Sequence, residues 1–106
     1  MSMPYRQELV LQFSVNSLED YDDLIELEDG IIEALCNQGK VDGHDVGVGE
    51  MNIFIRTDRP ERAFEIIKSL PKIQERLLYF RAAIRAVGGD QFKILYPAEL
   101  SHFSIA

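Results

Sequence analysis

Val41 to Thr57 reads VDGHDVGVGEMNIFIRT, and the fold turns on how this stretch is read. Met51, Ile53 and Ile55 alternate with Asn52, Phe54 and Arg56. A period of two marks a strand with one buried face. Its expected partner is Val41–Val46, across Gly47-Val48-Gly49. A two-residue loop of Val48-Gly49 asks Val48 for positive φ in the usual hairpin turns, which a β-branched residue resists. A three-residue loop asks this only of its last position, where Gly49 stands. That loop pairs Val46 with Glu50 and His44 with Asn52, and directly opposed residues share a face. His44, Asn52, Phe54 and Arg56 are therefore expected on one face, with Met51, Ile53 and Ile55 on the other. A four-residue loop would reverse His44.

Upstream, Glu8–Val15 (ELVLQFSV) alternates in the same way and reads as the first strand, with Leu9, Leu11, Phe13 and Val15 on its buried side. Ser17 caps a helix predicted over Leu18–Cys36, and Asp20 supplies the acid of an approximate capping box. Downstream, Asp58 is the expected cap of a second helix, with Pro60 in its first turn. Pro71 must kink or break that helix. Ile73, Leu77, Phe80, Ile84 and Val87 then recur at spacings of four and three, which predicts that the helix continues to Gly88-Gly89. Gln91–Tyr96 (QFKILY) is the last predicted strand, with Phe92, Ile94 and Tyr96 on one side; Pro97 ends it. The closing AELSHFSIA is either loose or docks Phe103 and Ile105 on a neighbour.

The expected order is β-α-β-β-α-β, the ferredoxin-like pattern, in a single domain over residues 1–106. It implies an α+β sandwich: a four-stranded antiparallel sheet of order 4-1-3-2, with the helices on one face. The expected core is Leu9, Leu11, Phe13, Leu24, Ile53, Ile55, Phe64, Leu77, Phe80, Ile84 and Ile94. The run DGHDVGVGEMNIFI, followed by TDRPERAF, resembles a group of small bacterial proteins of unassigned function with the pattern DGHD-x-G-x-GEMNIFI. The resemblance implies a ferredoxin-like fold in a bacterial cytoplasmic setting, and carries no active site with it.

Composition narrows the function classes. The 106 residues are 46% hydrophobic and 27% charged, as in an ordinary soluble domain. No apolar run approaches the ~20 residues that span a bilayer, and the first residues lack an apolar signal region. A lone Cys36 excludes an internal disulfide and suits a reducing cytoplasm. Its place beside an acidic helix favours a buried structural role over a nucleophilic one. The net charge of −7 is uneven: residues 1–55 hold 12 acids and 2 bases, residues 56–106 hold 6 acids and 9 bases. An acidic first half repels phosphate, so the bases at Arg76, Arg81 and Arg85 read as a solvated face rather than a nucleic-acid site.

The densest reactive set is Asp42, His44, Asp45 and Glu50. Histidine with carboxylates can move protons or bind a divalent ion. Adjacent strand residues point to opposite faces, however, and the chain has only one other histidine, His102, so no closed metal set or cofactor site is expected. Gly43, Gly47 and Gly49 match no phosphate loop, and turn geometry accounts for them. The more informative surface is the sheet face opposite the helices. There Val10, Phe54 and Leu95 form an apolar patch beside His44, Asn52 and Arg56, and such patches mark binding surfaces. Three functions stay open. One is a non-enzymatic binding or assembly module, homodimeric through that open face. The second is an immunity- or adaptor-type protein that binds a basic partner through its acidic first helix. The third is a small enzyme using His44 with Asp42 or Glu50.

Overall fold

The computed structural model of the chain describes residues 5–15, 17–75 and 80–105. Eight elements follow one another: β1 (Gln7–Ser14), α1 (Leu18–Leu35), β2 (Lys40–Gly47), β3 (Glu50–Thr57), α2 (Pro60–Lys68), α3 (Pro71–Gln74), β4 (Phe80–Ala86) and β5 (Lys93–Tyr96). The strands form one antiparallel sheet of order β2-β3-β1-β4-β5. The α+β class with an antiparallel sheet is as expected; the expected four strands become five.

The extra strand comes from the stretch expected to prolong the second helix. α2 stops at Lys68, and Pro71 opens only the single turn of α3. Arg76 and Leu77 lie outside the described residues. Beyond them Phe80, Ala82 and Ile84 repeat with period two, separated by Arg81, Ala83 and Arg85, and the strand pairs with β1 from Phe13↔Phe80 to Gln7↔Ala86. β1 carries a row of backbone N–H and C=O groups on each edge; β3 satisfies one row and β4 the other. Those hydrogen bonds outweigh the helix preference of Ala and Arg, which is worth only tenths of a kcal/mol per residue.

Ser17 caps α1 as expected, its hydroxyl accepting from the Asp20 N–H at 3.1 Å. Asp58 is not the cap of α2. The cap position is Arg59, whose N–H is held by the Thr57 hydroxyl, while Asp58 accepts from the Arg6 N–H. Cys36 is exposed, not buried, because it stands at the end of α1 where the chain turns away with φ 52°. Leu24, Leu27, Ile31 and Leu35 of α1, Ala63 and Ile67 of α2 and Ile73 of α3 close over Leu9, Leu11, Phe13, Met51, Ile53, Ile55, Phe80, Ala82 and Ile84. All three helices thus serve one face of the sheet. Phe80 lies within aromatic contact of Phe13, Phe64 and Tyr96, at centroid distances of 5.2, 6.1 and 5.7 Å.

The hairpin departs from expectation in register. Gly47 pairs with Glu50, so the loop is the two residues Val48-Gly49. Gly49 takes positive φ, 72°, and Val48 does not. A turn with positive φ only at its second central residue, as in type II, spares the β-branched side chain. Asp42 is then the extra residue of a bulge beside Gly43, whose φ is 126°. The bulge lets Val41 face Ile55 and Val46 face Met51, so both valines share the face of the core residues. His44 falls opposite Ile53, and Asp45 takes the place opposite Asn52. His44 therefore lies on the helix side, the reverse of the expected placement.

A second irregularity moves Leu95. Ala82 faces Tyr96 and Ala83 faces Ile94, which leaves Leu95 unopposed. Leu95 and Tyr96 pack against the helix-side core, and Ile94 turns to the other face. Leu95 is thus removed from the expected outer patch and Ile94 from the expected core, both by the same bulge.

Candidate functional site

The register of β3, β1 and β4 sets three cross-strand rows on the face away from the helices: Arg56–Glu8–Arg85, Phe54–Val10–Ala83, and Asn52–Gln12–Arg81. A sheet covered on one side should leave its other face wet, with buried and exposed residues alternating along the strand. β1 does not alternate. Glu8, Val10 and Gln12 are 6%, 0% and 5% exposed. The cover on this side is the chain's own C-terminal segment: Phe103, with 6% exposure, forms one buried cluster with Val10 and Ala83, and Phe54, Phe92, Ile94, Leu100 and Ile105 pack against it. The Phe92 and Phe103 rings are 4.9 Å apart, tilted by 53°.

Each row meets this segment or its surroundings differently. In the charged row, Arg85 grips the Glu8 carboxylate, with Nε and Nη2 both 2.7 Å from Oε1. The Arg85 guanidinium also lies 5.8 Å from the Phe54 ring centre and 5.2 Å from that of Phe92. The partly exposed guanidinium thus lies over both rings, a cation–π arrangement. Arg56 stands farther off, its Nε 4.0 Å from Glu8 Oε2 and 3.4 Å from Asp42 Oδ2. That nitrogen is buried and has no hydrogen bond of good geometry, so the two carboxylates act on it through space.

The polar row reads backbone. Gln12 Nε2 donates to Ser104 O at 2.9 Å, to Glu50 Oε2 at 3.0 Å and to Asn52 Oδ1 at 3.1 Å. Asn52 Nδ2 donates to the same Glu50 oxygen at 3.1 Å. Two hydrogens on Gln12 serve three acceptors, so one is shared. Buried side-chain amides must be paired to be tolerated, and the main chain of the C-terminal segment completes this pairing. The face thus offers an apolar recess for an aromatic ring and, one residue on, a donor for a backbone carbonyl.

Of the residues expected on this face, Val10, Asn52, Phe54 and Arg56 are there; His44 and Leu95 are not. His44 belongs to a separate group with α1. Its Nδ1 is 3.1 Å from both Glu28 oxygens, and Tyr21 Oη is 3.5 Å from Nε2. A carboxylate on one ring nitrogen can support a base at the other, but here Tyr21 Oη stands at Nε2. Neither Asp42 nor Glu50 shares this group, since both belong to the outer-face networks with Arg56 and Gln12. Tyr21 and Glu28, two helical turns apart, are the partners that sequence reading missed. Their common face was legible, but the register that brings His44 onto it was not. Among the described residues no three His, Cys, Asp or Glu side chains converge as a metal site, and no helix is long and apolar enough to cross a membrane. Gln12 follows from the alternation of the first strand, which sets it on the outer face; Phe92 and Phe103 were legible only as scattered apolar residues, because nothing local says where a tail will land.

Comparison with protein-family models, with curated proteins and with solved structures finds no match to this chain.

Proposed function

We propose that this protein is a non-enzymatic binding module of ferredoxin-like topology whose outer sheet face takes up an extended apolar peptide. The observation that carries the reading is Phe103 seated over Val10 and Ala83 while Gln12 donates to the adjoining Ser104 carbonyl. Apolar side chains seated on the face supply most of the affinity, and the Gln12 donor to a backbone carbonyl sets the register of the bound segment. The order β2-β3-β1-β4 has a ferredoxin-like arrangement, but the strand beside β1 is Phe80–Ala86 rather than the expected Gln91–Tyr96, which lies beyond it as β5; this supports a related topology. His44 pairs with Glu28 on the helix side while Asp42 and Glu50 join Arg56 and Gln12, so the expected catalytic set is not brought together, which supports a binding role. A bacterial cytoplasmic setting follows from the DGHDVGVGEMNIFI resemblance and belongs to the same proposal.

The test uses the full chain carrying Phe103→Glu, so that its own tail is expelled and the recess is free. A labelled peptide of residues 97–105 should bind it saturably in fluorescence polarisation. The same peptide with alanine in place of Phe103 should bind at least about tenfold more weakly, since burying a phenylalanine is worth roughly 1.5–3 kcal/mol. If a host that is folded by circular dichroism shows no peptide binding, the reading fails. A second reading, a basic protein partner on α1, draws on Ile32, which is 51% exposed between Asp29 and Glu33. Capture of a basic partner that weakens steeply with salt would favour it.

A further inference from the structure

We infer that the outer face receives the C-terminal segment of a second copy of this chain, so that two copies exchange tails across facing sheets. The inference rests on the peptide-docking reading above and goes one step further, by naming the occupant.

The segment is weakly tied to its own body. Pro97 leaves the sheet at the end of the edge strand β5, and Ala98, Glu99, Ser101 and His102 are exposed. Among the described residues, the only backbone–backbone hydrogen bond that residues 97–105 make outside regular elements is the local one from Leu100 N–H to Pro97 O. The attachment consists of the Leu100, Phe103 and Ile105 side chains and the Gln12 contact to Ser104 O. A segment without ladder bonds to the sheet can lift off without breaking the fold beneath it.

The best ligand that the structure shows for this recess is the chain's own sequence, and every copy carries one recess and one tail. A tail from a second copy makes the same contacts with Val10, Ala83 and Gln12, so exchange loses none of them. Reciprocal exchange keeps the contacts of two separate chains and adds only the cost of association, so it is favoured as concentration rises. The reach is sufficient. Six residues, Pro97–His102, lie between the end of β5 and Phe103; once the turn closed by Leu100 N–H and Pro97 O opens, an extended chain covers ~3.3–3.6 Å per residue, so roughly 20 Å in all. Stacked sheets stand about 10 Å apart. A tail leaving one sheet edge can therefore cross to a facing sheet, and one two-fold axis closes the pair. Both outer faces are then covered, which is the dimer expected from the open face with the tails as its filling.

The experiment is a photo-cross-link on the full chain. A benzophenone side chain replaces exposed Ser101 and the protein is irradiated from low micromolar to millimolar concentration. Exchange predicts a covalent species of twice the chain mass that grows with concentration, and a dimer in light scattering over the same range. Phe103→Glu should return light scattering to a folded monomer. If that variant does not fold, the cross-link in the otherwise natural chain still decides. Cross-links that stay within one chain at every concentration overturn the exchange. A dimer that persists in folded Phe103→Glu also overturns it, because the contact then does not need the tail. Trans binding of the 97–105 peptide together with a strictly monomeric natural chain leaves the docking reading standing and removes the exchange; absence of peptide binding removes both.

Discussion

Phe103→Ala should lower stability by about 1–3 kcal/mol, less than the loss of a comparably buried phenylalanine in the helix-side core. Phe103 is 6% exposed, and burying such a ring is worth roughly 1.5–3 kcal/mol. Its tilted contact with Phe92 adds about 0.5–1.5 kcal/mol. The total cannot all be lost, because the protein has an alternative to keeping an empty recess: the tail can undock. The loss is then capped at the docking free energy of residues 97–105. That quantity is small, since ordering each residue costs about 1–2 kcal/mol of chain entropy against a few apolar side chains and one hydrogen bond. The chain has no tryptophan, so urea unfolding is best followed by far-ultraviolet circular dichroism, with amide exchange on the same samples. The Leu100 amide, whose backbone partner is Pro97 O, should lose its protection in the variant while β1 keeps its own. A drop of about 4 kcal/mol or more, with β1 and the tail losing protection together, would show that the tail is an inseparable part of the core. No change in either measurement would show that it does not dock.

Phe80→Ala should cost about 3–5 kcal/mol, because the ring sits among Phe13, Phe64 and Tyr96 and its removal leaves a cavity that rigid strands cannot close; an unchanged urea midpoint would place Phe80 elsewhere. Glu8→Ala should cost about 1–3 kcal/mol near neutral pH, since it leaves Arg85 and Arg56 without their shared, buried carboxylate, and the partial exposure of both arginines holds the loss below that of a fully buried pair. Restoration of stability by a second change, Arg85→Met, would identify the orphaned cation as the cause. Gly49→Ala should cost about 1–2 kcal/mol through its positive φ alone, as nothing crowds the position; an equally stable variant would mean that the loop adopts another turn. His44→Ala should change stability by less than about 1 kcal/mol, because its pair with Glu28 is partly solvated, the His44 side chain keeping 29% exposure. Added zinc, manganese or magnesium should leave the melting temperature of the natural chain unmoved, and a saturable rise abolished by His44→Ala would contradict this.

Features governed by a few neighbouring residues were legible without the fold. The alternation of Met51–Arg56 and of Glu8–Val15 marks two strands that the structure pairs with each other. Gly49 is the residue at positive φ, Ser17 is the cap, and Pro71 ends one helix and begins the next, because each follows from the sterics or hydrogen bonding of its own backbone. The segment around Phe80–Ala86 satisfies both a helical spacing and a period of two, and local propensity alone favours the helix. The unpaired edge of β1, distant in sequence, makes it a strand. The face of His44 depends on the length of the hairpin loop and that of Leu95 on a single-residue bulge, and a change of one residue inverts everything beyond it. The candidate site was half legible for the same reason. Val10, Asn52, Phe54 and Arg56 follow from the period of two strands, whereas Phe103 and Ser104 join them from the far end of the chain. Short-range geometry is encoded where it is used. Pairing, register and the landing place of a tail are contests between distant groups for the same backbone edge or apolar surface, and they are decided only when the whole chain is assembled.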